Sequence, residues 1–252
     1  MHHGSAVVAV LGLILAACTF HVPVTVTHGD AAVAKCVPLA VGYLLTPDFV
    51  AYEQTKTVGG LAQLVFPIGK AAQSAFPDMF AKLFASARAV SGAPGTVPHV
   101  QGVDAVIVPR LTESTIEGPG FSGWATTTWW ATLGYVFVVY DPAGREIAQW
   151  QVEGSGTNFS IDWTGTAGSN NAGAAIAAAL SDVENRFLTG FPNDPSIQQW
   201  LRIVFTKTYD GAASESDSSH ADIAMSKALA NSVSQMVNDK DFQAAFFTAQ
   251  KS

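Results

Sequence analysis

The sequence predicts an α+β fold: a mostly antiparallel sheet of about four strands packed by helices, with a helical C-terminal extension. Three observations predict it. Four runs rich in apolar, β-branched and aromatic residues are bounded by turn residues. Two longer runs place apolar residues at helical spacing. The 252-residue chain is 48% hydrophobic and 13% charged, enough for a sizeable core.

The first element is an apolar run from Ala6 to Ala17, ending in Leu15-Ala16-Ala17-Cys18. As a helix it would rise about 18 Å, short of the roughly 30 Å hydrocarbon core of a bilayer. Its length fits the apolar region of a secretory signal. The small residues before a cysteine resemble a bacterial lipoprotein signal, which implies cleavage before Cys18. It also implies a thioether-linked diacylglycerol plus an N-acyl chain such as palmitate, and such multi-chain lipidation anchors stably. Within that class an Asp after the cysteine retains the protein at the inner membrane. Thr19 stands there, which implies the outer membrane. The first five residues carry His2 and His3 but no Lys or Arg. Either the histidines supply partial charge, or translation starts downstream of Met1. The alternative is an uncleaved, buried N-terminal element.

The predicted organisation is a signal peptide over 1–17, a tether over 18–35, an α+β domain over 36–205 and a helical extension over 206–252. Cys36 is a small buried hydrophobe if Cys18 carries lipid; otherwise the two cysteines are free to pair in an oxidising periplasm. Cys36–Leu45 reads as a strand stopped by Thr46-Pro47-Asp48. Residues 48–66 read as irregular. Pro67–Val90 reads as a helix with Phe76, Phe80, Leu83 and Ala87 on one face, kinked or split at Pro77. Val103–Leu111 is a second strand, with Pro109 near its end.

Leu133–Tyr140 is a third strand, apolar on both faces from Tyr135 and therefore central. Asp141-Pro142-Ala143-Gly144 is a turn. Arg145–Gly154 returns as a fourth strand, alternating Ala148, Trp150 and Val152 with polar residues. Ala172–Thr189 is the clearest helix. Its buried stripe is Ile176, Leu180, Val183 and Phe187, with Asp182, Glu184 and Arg186 directed elsewhere. Asn170 or Asn171 caps its start and Gly190 its end. Asp194-Pro195 opens a further helix. A Ser/Asp-rich linker, 210–220, leads to two helical segments.

Net charge is −7 and no basic cluster occurs, so nucleic acid is not an expected partner. Gly118-Pro119-Gly120-Phe121-Ser122-Gly123 matches a GxGxxG string. A β-prone run follows it where a dinucleotide site needs a helix. No GxSxG occurs. His21, His28, His99 and His220 fall in expected loops without metal-ligand spacing, and Glu113 and Glu117 read as solvated. No cofactor and no enzymatic activity are expected. Trp124, Trp129 and Trp130, between strands two and three, are candidate membrane or partner contacts, because indole suits the membrane–water interface. The other reading packs them on the domain's own core.

Four stretches carry a wider resemblance: Pro38-Leu39-Ala40-Val41-Gly42, Phe66-Pro67-Ile68-Gly69-Lys70-Ala71, Val103-Asp104-Ala105-Val106-Ile107-Val108-Pro109, and Tyr135 through Trp150. Across 36–190 the chain resembles the small α/β domain of envelope lipoproteins that includes the curli-secretion pore subunit and the Pel-polysaccharide export lipoprotein. The resemblance implies a non-enzymatic, periplasm-facing outer-membrane lipoprotein. It further implies self-association or membership of an envelope complex, in assembly, secretion or export. The alternative function is a periplasmic binding module for a lipid or glycan.

Overall fold

The computed structural model describes residues 18–26, 37–58, 62–92, 100–118, 127–160 and 167–204. The chain divides into two compact units, Met1–Trp200 and Leu201–Ser252. The first is the α+β body expected. In the second, residues 201–204 are helical; the extension over 206–252 lies outside the described residues, as do the signal peptide, Cys36 and Trp124.

The strands are β1 (Cys18–His21), β2 (Val37–Tyr43), β3 (Gln54–Val58), β4 (Ala62–Phe66), β5 (Phe84–Ala89), β6 (Ala105–Glu117), β7 (Thr127–Tyr140) and β8 (Glu146–Ser160). The helices are α1 (Pro47–Val50), α2 (Ile68–Leu83) and α3 (Ala167–Gly190), followed by a 3₁₀ turn (Phe191–Asn193). Residues 195–204 are helical, as Asp194-Pro195 predicts. A five-stranded sheet runs β5-β2-β6-β7-β8 and a three-stranded sheet β1-β4-β3. Antiparallel pairing dominates through the long β6–β7–β8 ladder, while β2 pairs in parallel with both β5 and β6.

The strand content exceeds the four runs expected, for identifiable reasons. Residues 48–66 hold α1, β3 and β4 rather than an irregular segment. Thr46 caps α1 through its Oγ1, accepting from Phe49 N–H at 3.2 Å. β5 occupies residues assigned to a long helix. Ala-rich Phe84–Ala89 favours helix locally, but parallel pairing with β2 overrides that preference. α2 is neither split nor ended by Pro77, because Phe76, Met79, Phe80 and Leu83 on its buried face hold it to the sheet. The tether also needs correction. Residues 18–21 pair in parallel with β4, and Val22 N–H donates to Val65 C=O at 2.9 Å. Cys18–His21 is therefore a strand of the body rather than part of a tether.

α2 and α3 cover one face of the large sheet. Between them lies an aromatic core in which Phe187 sits 4.6 Å from both Phe137 and Phe191, centroid to centroid. Phe76 meets Tyr135 edge-on at 5.2 Å, a favoured geometry for such rings. Ile176, Leu180, Val183 and Phe187 are all buried, as the helical stripe predicts. Glu184 does not point away: it is fully buried and accepts from Lys82 Nζ at 2.8 Å, tying α3 to α2. Asn170 and Asn171 lie inside α3 rather than at its start. Gly154 and Gly156 let α3 settle on β8. A Cβ at Gly156 would lie 2.2 Å from the Ala175 carbonyl oxygen.

On the opposite face Leu44, Val103, Val106, Val108, Val138 and Tyr140 form a second cluster. β7 is thus covered on both sides there, as its two apolar faces predict. The β7–β8 turn forms as expected. Gly144 takes φ +81° and its N–H donates to Asp141 C=O at 2.9 Å. Pro109 faces the edge of β6 that β2 leaves beyond Ile107, so its missing N–H leaves no ladder bond unmade.

Candidate functional site

Strand register gathers the candidate residues at one end of the body. Cys18 lies opposite Ala62, and Ala62 opposite Val58. β3 runs alongside the far half of β6. Gln54 Nε2 donates to Ser114 C=O at 3.0 Å and Lys56 Nζ to Ile116 C=O at 2.6 Å. The start of β1 is therefore level with the end of β6, the start of β7 and the end of β8, where Glu117 faces Trp130 and Thr127 faces Ser160.

Adjacent tryptophans on β7 point to opposite faces of the sheet. Trp129 is 3% exposed and packs inward. It meets Phe66 edge-on at 6.5 Å and lies beneath Lys56 Nζ at 5.9 Å. A Cβ at Gly118 would lie 2.5 Å from its ring, so the first glycine of the GxGxxG string makes room for an indole. Trp129 thus belongs to the domain's own core. Trp130 is 48% exposed on the outer face, directly opposite Thr157. Phe159, two residues on, shares that face and is 58% exposed; Phe20 on β1 is 52% exposed. Neither phenylalanine stands out in the sequence. Phe159 falls beyond the alternating run that marks β8, and Phe20 within the expected tether.

The other candidates gain no chemistry. His21 is exposed on β1, and His28, His99 and His220 lie outside the described residues. Glu113 and Glu117 are exposed on β6. Among the described residues no group of three metal-ligating side chains forms, and no helix is long and apolar enough to cross a membrane. A groove of about 440 Å³ opens beside the bare edge of β6, lined by Asp48, Tyr52, Arg110 and Glu113 among others. Nearby, the buried Tyr135 hydroxyl has no partner among the described residues. Burial first, and neighbouring Tyr52 second, raise its pKa above the ordinary phenol value.

No family model matches the chain. No curated protein matches it either. Several solved structures are similar at low identity. Protein XCC0632 from Xanthomonas campestris, of family DUF330, is 14% identical, with a TM-score of 0.34 over 77% of this chain and 99% of that one. A minor lipoprotein from Acinetobacter baumannii is 10% identical, with a TM-score of 0.31 over 66% and 96%. The PelC dodecamer from Paraburkholderia phytofirmans is 20% identical, with a TM-score of 0.26 over 64% and 96%.

Proposed function

We propose that the protein is a lipid-anchored accessory protein of the bacterial envelope. It is held at the outer membrane through Cys18, faces the periplasm, and acts through contacts with the bilayer and with other protein rather than by catalysis. One observation carries the reading: the cysteine of the lipoprotein-like signal opens β1 at the end of the body where Trp130 and Phe159 are exposed. An anchor there brings those rings to the interface, where aromatic residues are favoured.

Two measurements test this. Intact mass of the membrane-extracted chain is expected to show cleavage before Cys18 and addition of a diacylglycerol and an acyl chain. A chain starting at Met1 with a free thiol overturns the reading. In vesicles containing brominated lipid, the lipidated chain is expected to lose part of its tryptophan fluorescence, and Trp130→Phe to remove most of that loss. Fluorescence indifferent to the bromine refutes the membrane contact.

A further inference from the structure

The two outer strands of the five-stranded sheet are β5 and β8. Among the described residues nothing pairs with the outer edge of either. Their backbones show which groups face outward. Val90 N–H donates to Tyr43 C=O, so on β5 the even-numbered residues turn to β2 and Ala85, Ala87 and Ala89 turn out. On β8 the Ser155 N–H points away from β7 and is taken by Asp182 Oδ2 at 3.0 Å. By alternation Gln149, Gln151 and Glu153 also face outward, in pairs with Val138, Val136 and Gly134. Each edge therefore offers three successive outward residues, and the Asp182 carboxylate stops the β8 edge at Ser155. Two of the usual protections of an edge strand, proline and lysine, are missing along this stretch. Neither 146–153 nor β5 contains Pro or Lys, and β8 exposes Ile147.

Direction decides the partner. β5, β2, β6 and β8 all run the same way, with only β7 opposed. Copies standing side by side in one orientation can therefore join β8 to β5 as a parallel pair. A two-fold β8–β8 pair would be antiparallel and would put the Cys18 ends at opposite poles, where one membrane cannot hold both. Charge agrees: β8 carries Glu146 and Glu153, and β5 carries Arg88. The mixed pair offers the acidic β8 stretch an unlike charge, and the two-fold pair of 146–153 offers it none. We infer that residues 149–153 of β8 pair in parallel with residues 85–89 of β5 from a second copy, giving a head-to-tail assembly with every Cys18 on one side. The choice between the two pairings rests on the lipid-anchor reading above.

Native mass spectrometry of the full lipidated chain in detergent, and of full-length Cys18→Ser without it, tests the inference. The wild type is expected to be oligomeric. Gln151→Pro and Ala87→Pro each remove one outward N–H and leave the intrachain ladder intact, and each alone is expected to be monomeric. Mixed in equal amounts they are expected to form a dimer, because each retains one good edge. If either proline variant loses its native circular dichroism, Gln151→Lys and Ala87→Lys are read in its place. A monomeric wild type, an oligomer that survives both blocks, or a mixture that stays monomeric overturns the pairing. The mass of the same lipidated sample reports separately whether Cys18 is modified, so failure of the anchor is distinguished from failure of the edges.

Discussion

Gly156→Ala adds one methyl group at one of the tightest contacts in the body. Its carbon would lie 2.2 Å from the Ala175 carbonyl oxygen, 2.4 Å from the Ala179 nitrogen and 2.8 Å from the Ala178 Cβ. Comfortable separations are about 3.5 Å, so α3 must withdraw from β8 by roughly 1 Å. The two nearest obstructing atoms are helix backbone and cannot turn aside. Withdrawal also loosens Ile176, Leu180 and Val183, which share that face. Overpacking of this kind costs about 1–3 kcal/mol, and the backbone obstruction sets the expectation near ~3 kcal/mol. For a body of this size that lowers Tm by roughly 6–12 °C. The assay is thermal and urea unfolding of full-length Cys18→Ser with and without the substitution. Gly134→Ala is the control. Its nearest neighbours are the side-chain atoms Thr112 Oγ1 at 3.0 Å and Glu113 Cβ at 3.1 Å, on residues that are exposed. A cost below about 1 kcal/mol is expected there. If Gly156→Ala unfolds within about 0.5 kcal/mol of its parent, the close seating of α3 on β8 is refuted.

The two neighbouring tryptophans are expected to part company. Trp129→Ala should cost about 3–5 kcal/mol in urea unfolding because its ring is buried, whereas Trp130→Ala should stay within about 0.5 kcal/mol; equal costs would contradict their assignment to opposite faces. Lys82→Ala should destabilise more than Glu184→Gln, since the first removes a cation paired with a buried carboxylate and the second keeps a neutral group in place; the reverse order in denaturant titrations would sink that account. Asp141 is desolvated slightly, which pulls its pKa up. Hydrogen bonds from the Arg145 and Ala143 N–H groups and the Arg145 guanidinium outweigh this and hold it below the usual carboxylate range. A depressed folded-state pKa stabilises above the unfolded value of about 4 and is lost as pH falls through the lower one. The stability gap between wild type and Asp141→Asn should therefore be open at neutral pH and close in strong acid, and a gap that widens on acidification would be inconsistent with it.

Legibility followed the strength of local pattern. β7 showed itself because both its faces are apolar, and α3 because Ile176, Leu180, Val183 and Phe187 hold helical spacing. β1 left no such mark: Thr19, Phe20 and His21 are all exposed on an edge strand, and only register with β4 makes them a strand. β5 was disguised by alanines, since pairing decided its state. Cys18 and Trp130 were readable as chemistry, but Trp129 was not separable from Trp130. One residue of strand register sends one indole inward and the other outward. Phe159 became visible only once β8 extended to Ser160.

A β1 that begins at Cys18 leaves no slack between the body and whatever holds its first residue. Free in solution, two copies must align about every rotational axis before their edges meet, and that loss of freedom opposes association. If Cys18 carries the lipid as proposed, each copy would be rooted upright by its first strand residue and would keep chiefly its spin about the membrane normal. Lateral diffusion would then bring together edges that already share a height and a direction. Inserting a flexible Gly/Ser segment between Cys18 and Thr19 would restore tumbling, turning a two-dimensional search back into a three-dimensional one without altering any contact.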